Sequence, residues 1–328
     1  MKDQSTVRCR IPASGGTMET MIIVENLSKR YGKKTVVNDL SFTVPDGQVT
    51  GFLGPNGAGK STTMRCMLGL DKPSAGKVTF SGKGYAGEFA GLNNKSSIAG
   101  AVLDAGWFTP ARSGRNHLRV IAKGAGIPDK RVDECLDMVG LTSAGKKKVS
   151  GYSLGMKQRL GLAAALLGNP QHLILDEPVN GLDPEGVSWM RRIIRQLADD
   201  GRSLLVSSHL LSEMQQTADR LVLIGQGKLI GEQTLDDFLA GGAHVEVECK
   251  EAVLLAESLR AHGFQVDLER DRTLRVGVNN MPEHEVRAAI AATALKEKFA
   301  VTKLATTAEN LEQRFLAATA GQQEYRSH

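Results

Sequence analysis

The sequence predicts an α/β domain over residues 21–240 and a small α+β domain over residues 243–320. Three observations carry this. Val49–Leu53 reads as a strand that enters a glycine-rich turn and leaves it as the helix Ser61–Leu70. His172–Asp176 is a short, unbroken apolar run of the kind buried on both faces of a parallel sheet. Beyond Gly241 and Gly242 the pattern becomes strand, helix, strand, strand, helix, strand, which is the order of a ferredoxin-like unit.

Residues 1–20, rich in Ser, Thr and Gly, read as a disordered lead, and Met18 or Met21 is an alternative start. Lys2, Arg8 and Arg10 are not followed by the apolar stretch of a secretory signal. Met21–Val24 and Ser41–Val44 read as short strands, with turn chemistry at Tyr31–Lys34 and Pro45–Gly47. Arg131–Val139 and Gly155–Leu167 read as helices. Asp183 is placed to cap a helix with Pro184 and Glu185 in its first turn and Gly201 at its end. Ser203–Ser207 is the next strand, and Arg220–Ile224 with Lys228–Ile230 forms a hairpin around Gly225–Gly227. In the second domain the strands are His244–Cys249, Gln265–Glu269, Thr273–Val278 and Ala300–Leu304. Its helices are Ala252–His262, Glu283–Ala292 and Ala308–Ala318, and residues 321–328 form a polar, frayed tail.

Composition narrows the class. Apolar residues make up 41% and charged residues 23% of the 328, the balance of an ordinary globular chain. No run approaches the roughly 18–20 apolar residues that span a bilayer, so the chain is not itself a channel. Cys9, Cys66, Cys135 and Cys249 are far apart and form no CxxC pair, which argues against a zinc site or a disulfide scaffold. A net charge of +5 reads as a mixed solvated surface.

The nine residues Gly54, Pro55, Asn56, Gly57, Ala58, Gly59, Lys60, Ser61 and Thr62 match G-x-x-x-x-G-K-[ST]. Glycines let the backbone curl until successive N–H groups converge on phosphate oxygens, and the following helix adds its positive end. Lys60 is placed to reach the β- and γ-phosphates of a nucleoside triphosphate, and the Ser61 hydroxyl to ligate Mg²⁺. A chance glycine-rich turn is the alternative, and the strand–turn–helix setting argues against it. The segment His172–Pro178 supplies the partner: an apolar strand delivers Asp176 and Glu177 to the carboxyl edge of the sheet. Asp176 suits the metal shell, and Glu177 suits the polarisation of an attacking water. Alone, the same pair would pass for an acidic cap after a core strand.

Together these segments resemble the ATPase subunit of an ABC transporter, over about residues 21–235, and more narrowly the daunorubicin- and multidrug-resistance export type. The resemblance implies a P-loop NTPase of ABC-ATPase type. That means a RecA-like core, an antiparallel β subdomain and a helical subdomain, here followed by the ferredoxin-like domain. Tyr152–Arg159 resembles the family's signature, keeping Ser153 and Gly155 but departing from Leu-Ser-Gly-Gly-Gln at Tyr152, Leu154 and Met156. The family implies that Ser153, Leu154, Gly155 and Met156 meet the γ-phosphate held by a second copy; read alone, the segment is a capped amphipathic helix. Asn180–Asp183 resembles the loop that crosses the subunit interface, which brings Asp183 toward nucleotide while leaving it free to cap a helix. His209 matches the switch histidine that reaches the γ-phosphate, and Tyr31 the aromatic that stacks on adenine. Where the family has a metal-contacting glutamine this chain has Asp104, a harder but shorter oxygen ligand expected to serve Mg²⁺ directly or through water. A loop Asp with no metal role is the alternative.

What the resemblance implies about function is an ATP-hydrolysing subunit that powers a membrane exporter of a drug, antibiotic or lipid-like substrate. It implies ATP and Mg²⁺, a separate transmembrane permease, a second copy of the ATPase in a homodimer, and a peripheral place on the cytoplasmic face of the membrane. Nucleic acid is not expected. Two alternatives stand beside it: a soluble ABC ATPase acting on ribosome or nucleic acid, and an importer ATPase. The first usually carries two cassettes or a long coiled-coil insertion, whereas about 90 residues separate Lys60 from Ser153. The short helical region Gly106–Lys148, the signature variant and the closing segment Ala308–Leu316 favour export over import.

Overall fold

The computed structural model describes residues 20–319 apart from 105, 210, 241–242, 271, 279–280 and 309–310. The expected lead (save Thr20), with Cys9 and Met18, the tail 321–328 and the Gly241–Gly242 boundary lie outside the described residues. The chain opens with β1 (Met21–Tyr31), β2 (Lys34–Pro45), β3 (Val49–Leu53) and α1 (Lys60–Met67). Then come β4 (Ala75–Gly82), β5 (Tyr85–Gly87), α2 (Lys95–Ile98) and β6 (Ala99–Val102). A helical region holds α3 (Gly114–Gly124), α4 (Asp129–Met138) and α5 (Leu154–Leu166). The chain returns through β7 (His172–Leu175), α6 (Pro184–Asp199), β8 (Ser203–Ser207), α7 (Leu211–Thr217), β9 (Arg220–Gly225), β10 (Lys228–Thr234) and α8 (Leu235–Ala240). It closes with β11 (Ala243–Cys249), α9 (Ala252–Ala261), β12 (Val266–Arg270), β13 (Thr273–Gly277), α10 (Glu283–Lys296), β14 (Val301–Ala308) and α11 (Leu311–Thr319).

The central sheet runs β10-β9-β3-β8-β7-β6, parallel throughout except for β10 at one edge. Its parallel strands are buried on both faces because both are covered, whereas the edge strand β10 is partly exposed. Leu173, Leu175, Leu204, Val206, Leu221 and Leu223 join the core shared with α5 and α6. The alternating residues Phe52, Ile174, Leu205 and Val222 join Phe42 and Phe80 of the antiparallel sheet β2-β1-β4-β5. Each such side chain contributes about 1.5–3 kcal/mol by leaving water, which makes the two-sided sheet the rigid frame of the molecule.

β1 and β2 extend well past the short strands that the sequence predicts, as far as the Tyr31–Lys34 pair, with Gly32 at φ 58° closing the turn. Their outermost residues, Arg30, Tyr31, Lys34 and Thr35, are exposed, so pairing of the backbone carries the tip of the hairpin. Behind β11 the four strands lie in the order β12-β13-β11-β14, all antiparallel, over a core of Val245, Val247, Leu255, Leu274 and Ile290. This is the ferredoxin-like arrangement. The helix α11 departs from it: Leu311 and Phe315 belong to the apolar cluster of the first domain.

Candidate functional site

The glycine-rich loop leaves β3 and enters α1 with Gly57 at φ 80° and Gly59 at φ 101°, a left-handed curl closed to ordinary side chains. Lys60 lies back across this curl, its Nζ donating to Gly54 O at 2.6 Å and Pro55 O at 3.3 Å. A second turn, at the β9–β10 hairpin, braces the loop: Gly227 N donates to Ala58 O at 3.0 Å, and Asn38 N to Gly227 O at 2.8 Å. Gly227 has φ 77°, and a Cβ there would stand 2.3 Å from Val36 O. A cavity of about 540 Å³ opens between Pro55–Ala58 and Lys34–Val36. Tyr31 stands across the hairpin turn from Lys34, its hydroxyl donating to Asp71 Oδ2 at 2.8 Å and the Lys29 ammonium 4.8 Å from its ring centroid.

The acidic pair sits where β7 ends. Burial lowers the pKa of the Lys60 ammonium, and the charges of Glu177 and Asp176 push it back up, so the two carboxylates share the electrostatic space of the loop lysine. Asp176 and Glu177 are held by one hydroxyl, that of Ser207 at the end of β8. It donates to Asp176 Oδ1 and accepts from Glu177 N at 3.0 Å. Glu177 adopts φ 51°, the left-handed region, although it is neither Gly nor Asn. Such a conformation costs about 1–3 kcal/mol and persists where the surroundings dictate it. Here it aims the carboxylate at His209, whose Nδ1 lies 2.6 Å from Glu177 Oε2 and whose backbone N–H donates to the same oxygen at 3.2 Å.

Sequence reading did not single out Ser207 as a site residue, although it placed the strand that ends there. The available signal was a hydroxyl closing an apolar strand two residues before His209. Nor did it foresee the brace from Gly227, because residues more than 160 positions apart meet only once the sheet is built.

Asp104 follows β6, next to β7 in the sheet, so it comes to the same carboxyl edge. Its Oδ1 accepts the Gly106 N–H at 2.7 Å. Ser153 caps α5, accepting the Met156 N–H at 3.3 Å, and Asp183 caps α6 through the Gly186 N–H at 3.1 Å. These two helix starts touch: a Cβ on Gly181 would stand 2.3 Å from the Leu154 side chain, and one on Gly155 would stand 3.4 Å from Leu182. Leu154 is 46% exposed, so the signature and the segment Asn180–Asp183 present one continuous outward edge of this chain. Mg²⁺ suits the donors on hand. Ser61 is exposed at the start of α1, and Asp176 keeps one carboxylate oxygen beyond the Ser207 bond, a hydroxyl and a carboxylate of the kind this hard cation takes beside phosphate oxygens.

The chain matches the family model described as ABC transporter over residues 37–180. It is 36% identical over 302 residues to the bacitracin transport ATP-binding protein BcrA of Enterococcus faecalis, covering 91% of this chain and 96% of that protein. The chain belongs to the ATP-binding subunits of ABC transporters. This ABC subunit also shares 32% identity over 309 residues with the linearmycin resistance ATP-binding protein LnrL of Bacillus subtilis (strain 168), covering 91% and 98% of the two chains. A solved structure of an ATP binding subunit of an ABC transporter superposes with a TM-score of 0.60 at 28% identity, over 67% of this chain and 92% of that one. The enzymatic activity of this chain is therefore ATP hydrolysis. ABC subunits of this kind work with transmembrane permeases, and among the described residues no helix is long and apolar enough to cross a membrane.

Proposed function

We propose that this ABC ATPase powers the export of an antibiotic-like or lipid-like compound, as one of two copies that close head to tail on ATP. The observation that carries the hydrolytic role is the cluster of Asp176, Glu177, Ser207 and His209 beside the Lys60 loop. The loop Gly54–Thr62 holds the phosphates, with Tyr31 stacked on the adenine. Ser61, Asp176 and Asp104 hold Mg²⁺, which, when bound, neutralises the charge that builds on the transferred phosphoryl group. Glu177 takes a proton from the attacking water, and His209 holds the Glu177 carboxylate in place while its ring faces the γ-phosphate. The exposed edge formed by Ser153–Met156 and Asp183 meets the nucleotide of the other copy, so each site is complete only in the pair. A separate permease carries the transported compound, and the ATPase sits peripherally on the cytoplasmic face of the membrane. Support for the exporter reading comes from relatives named for bacitracin transport and linearmycin resistance.

The test is Glu177→Gln in the full chain. It removes the base but keeps the side chain's size, so ATP should stay bound and the protein should run as a dimer on size exclusion with ATP and Mg²⁺. Hydrolysis at the wild-type rate would show that Glu177 is not the base.

A further inference from the structure

The last described helix does not serve the sheet that precedes it. Leu311 and Phe315 of α11 lie in one apolar cluster with Leu211 and Met214 of α7, with 0% and 9% of their surface exposed. Polar contacts seat the helix as well. The Leu311 N–H donates to Gln215 Oε1 of α7 at 3.3 Å. The Arg314 guanidinium lies 4.7 Å over the Phe238 ring and donates to Leu239 O on α8 at 3.3 Å.

α7 has seven residues, far fewer than a helix needs to hold its shape alone in water. Its orientation therefore comes from its walls. One wall is α6, where Arg191 pairs with Glu213 at 2.7 Å and with Gln216. The other is α11. α7 starts two residues after His209, whose ring and backbone N–H both meet the Glu177 carboxylate.

We infer that Leu311 and Phe315 are positioning residues for ATP hydrolysis: α11 holds α7, and α7 holds His209 against Glu177. This rests on the reading of Glu177 and His209 given above. It also joins the C-terminal sheet to the switch, because β14 leads into α11 across two residues.

Steady-state ATP hydrolysis and amide hydrogen exchange of the full chain test it, with Phe315→Ala, Phe315→Leu, His209→Ala and the double variant Phe315→Ala/His209→Ala. Phe315→Ala should cut kcat about tenfold or more while KM for ATP stays within about twofold, as expected when a catalytic group is misplaced and nucleotide binding is not. Exchange should quicken in residues 211–217 and stay unchanged in 60–67, and Phe315→Leu should restore most of the rate. In the His209→Ala background the Phe315 substitution should add nothing, because both act through one group. A normal kcat in Phe315→Ala, or the same fractional loss with and without His209, overturns the inference. If Phe315→Ala does not fold, Leu311→Val makes a smaller cut in the same wall and is read on the same scales. A wild-type rate in His209→Ala defeats the role of the histidine itself, whatever Phe315 does.

Discussion

Acidification should loosen this protein through one buried side chain, His172, at the join between the central and the N-terminal sheets. The ring is fully buried, with Nε2 2.9 Å from the Tyr85 hydroxyl, Nδ1 3.1 Å from the Ser203 hydroxyl, and Phe80 edge-on against it. Burial lowers its pKa from 6.5 to about 4. The unfolded chain therefore takes up a proton near pH 6.5, while the folded chain refuses it until about pH 4. Stability that is complete above pH 6.5 is lost as the pH falls from 6.5 toward 4, and no more is lost below, where both states are charged. A gap of about 2.5 pH units corresponds to about 3 kcal/mol at the acid end. For a chain of this size that lowers the melting temperature by about 5–10 °C. The assay is thermal unfolding of wild type and His172→Leu at about pH 7.5 and about pH 4.5, on either side of most of the window. Leucine leaves the Tyr85 and Ser203 hydroxyls short of a partner, so it should start lower at the higher pH, by about 1–3 kcal/mol. It should then lose less on acidification than wild type does, since the carboxylates that titrate in both proteins cancel in the difference. Equal losses in the two proteins would refute the assignment of the acid sensitivity to His172.

Three further outcomes follow from the site. Ser207→Ala removes the hydroxyl that holds both carboxylate residues, so kcat should fall about 10–100-fold, equivalent to about 1.4–2.7 kcal/mol, with ATP binding kept; an unchanged kcat would mean that Glu177 holds its left-handed conformation without it. Gly227→Ala forces a Cβ against Val36 O from a left-handed backbone. It should destabilise the protein by about 2–4 kcal/mol and raise KM for ATP, read by urea unfolding and kinetics, because the brace on Ala58 shifts. Asp104→Gln should change the Mg²⁺ concentration that gives half-maximal ATPase activity, and an unaltered Mg²⁺ dependence would remove Asp104 from the metal shell.

The phosphate loop, the carboxylate pair and the capped starts of α5 and α6 could be read from the chain because each is local. A glycine at a left-handed position, a capping Ser153 or Asp183, and a strand that ends in Asp176 and Glu177 leave their mark within a few residues. The ferredoxin-like strand order was legible for the same reason: its alternation and turns repeat at short range. What only the tertiary structure decided are the contacts between distant segments. Ser207 reaches Asp176 and Glu177 because β7 and β8 lie side by side in register, and Gly227 reaches Ala58 because β9 lies beside β3. α11 looked like the end of the small domain, since its apolar spacing shows that it must bury one face but not against which partner. Burial is non-directional, and the choice of the α7 groove over the nearby sheet depended on which apolar surface the completed fold left open.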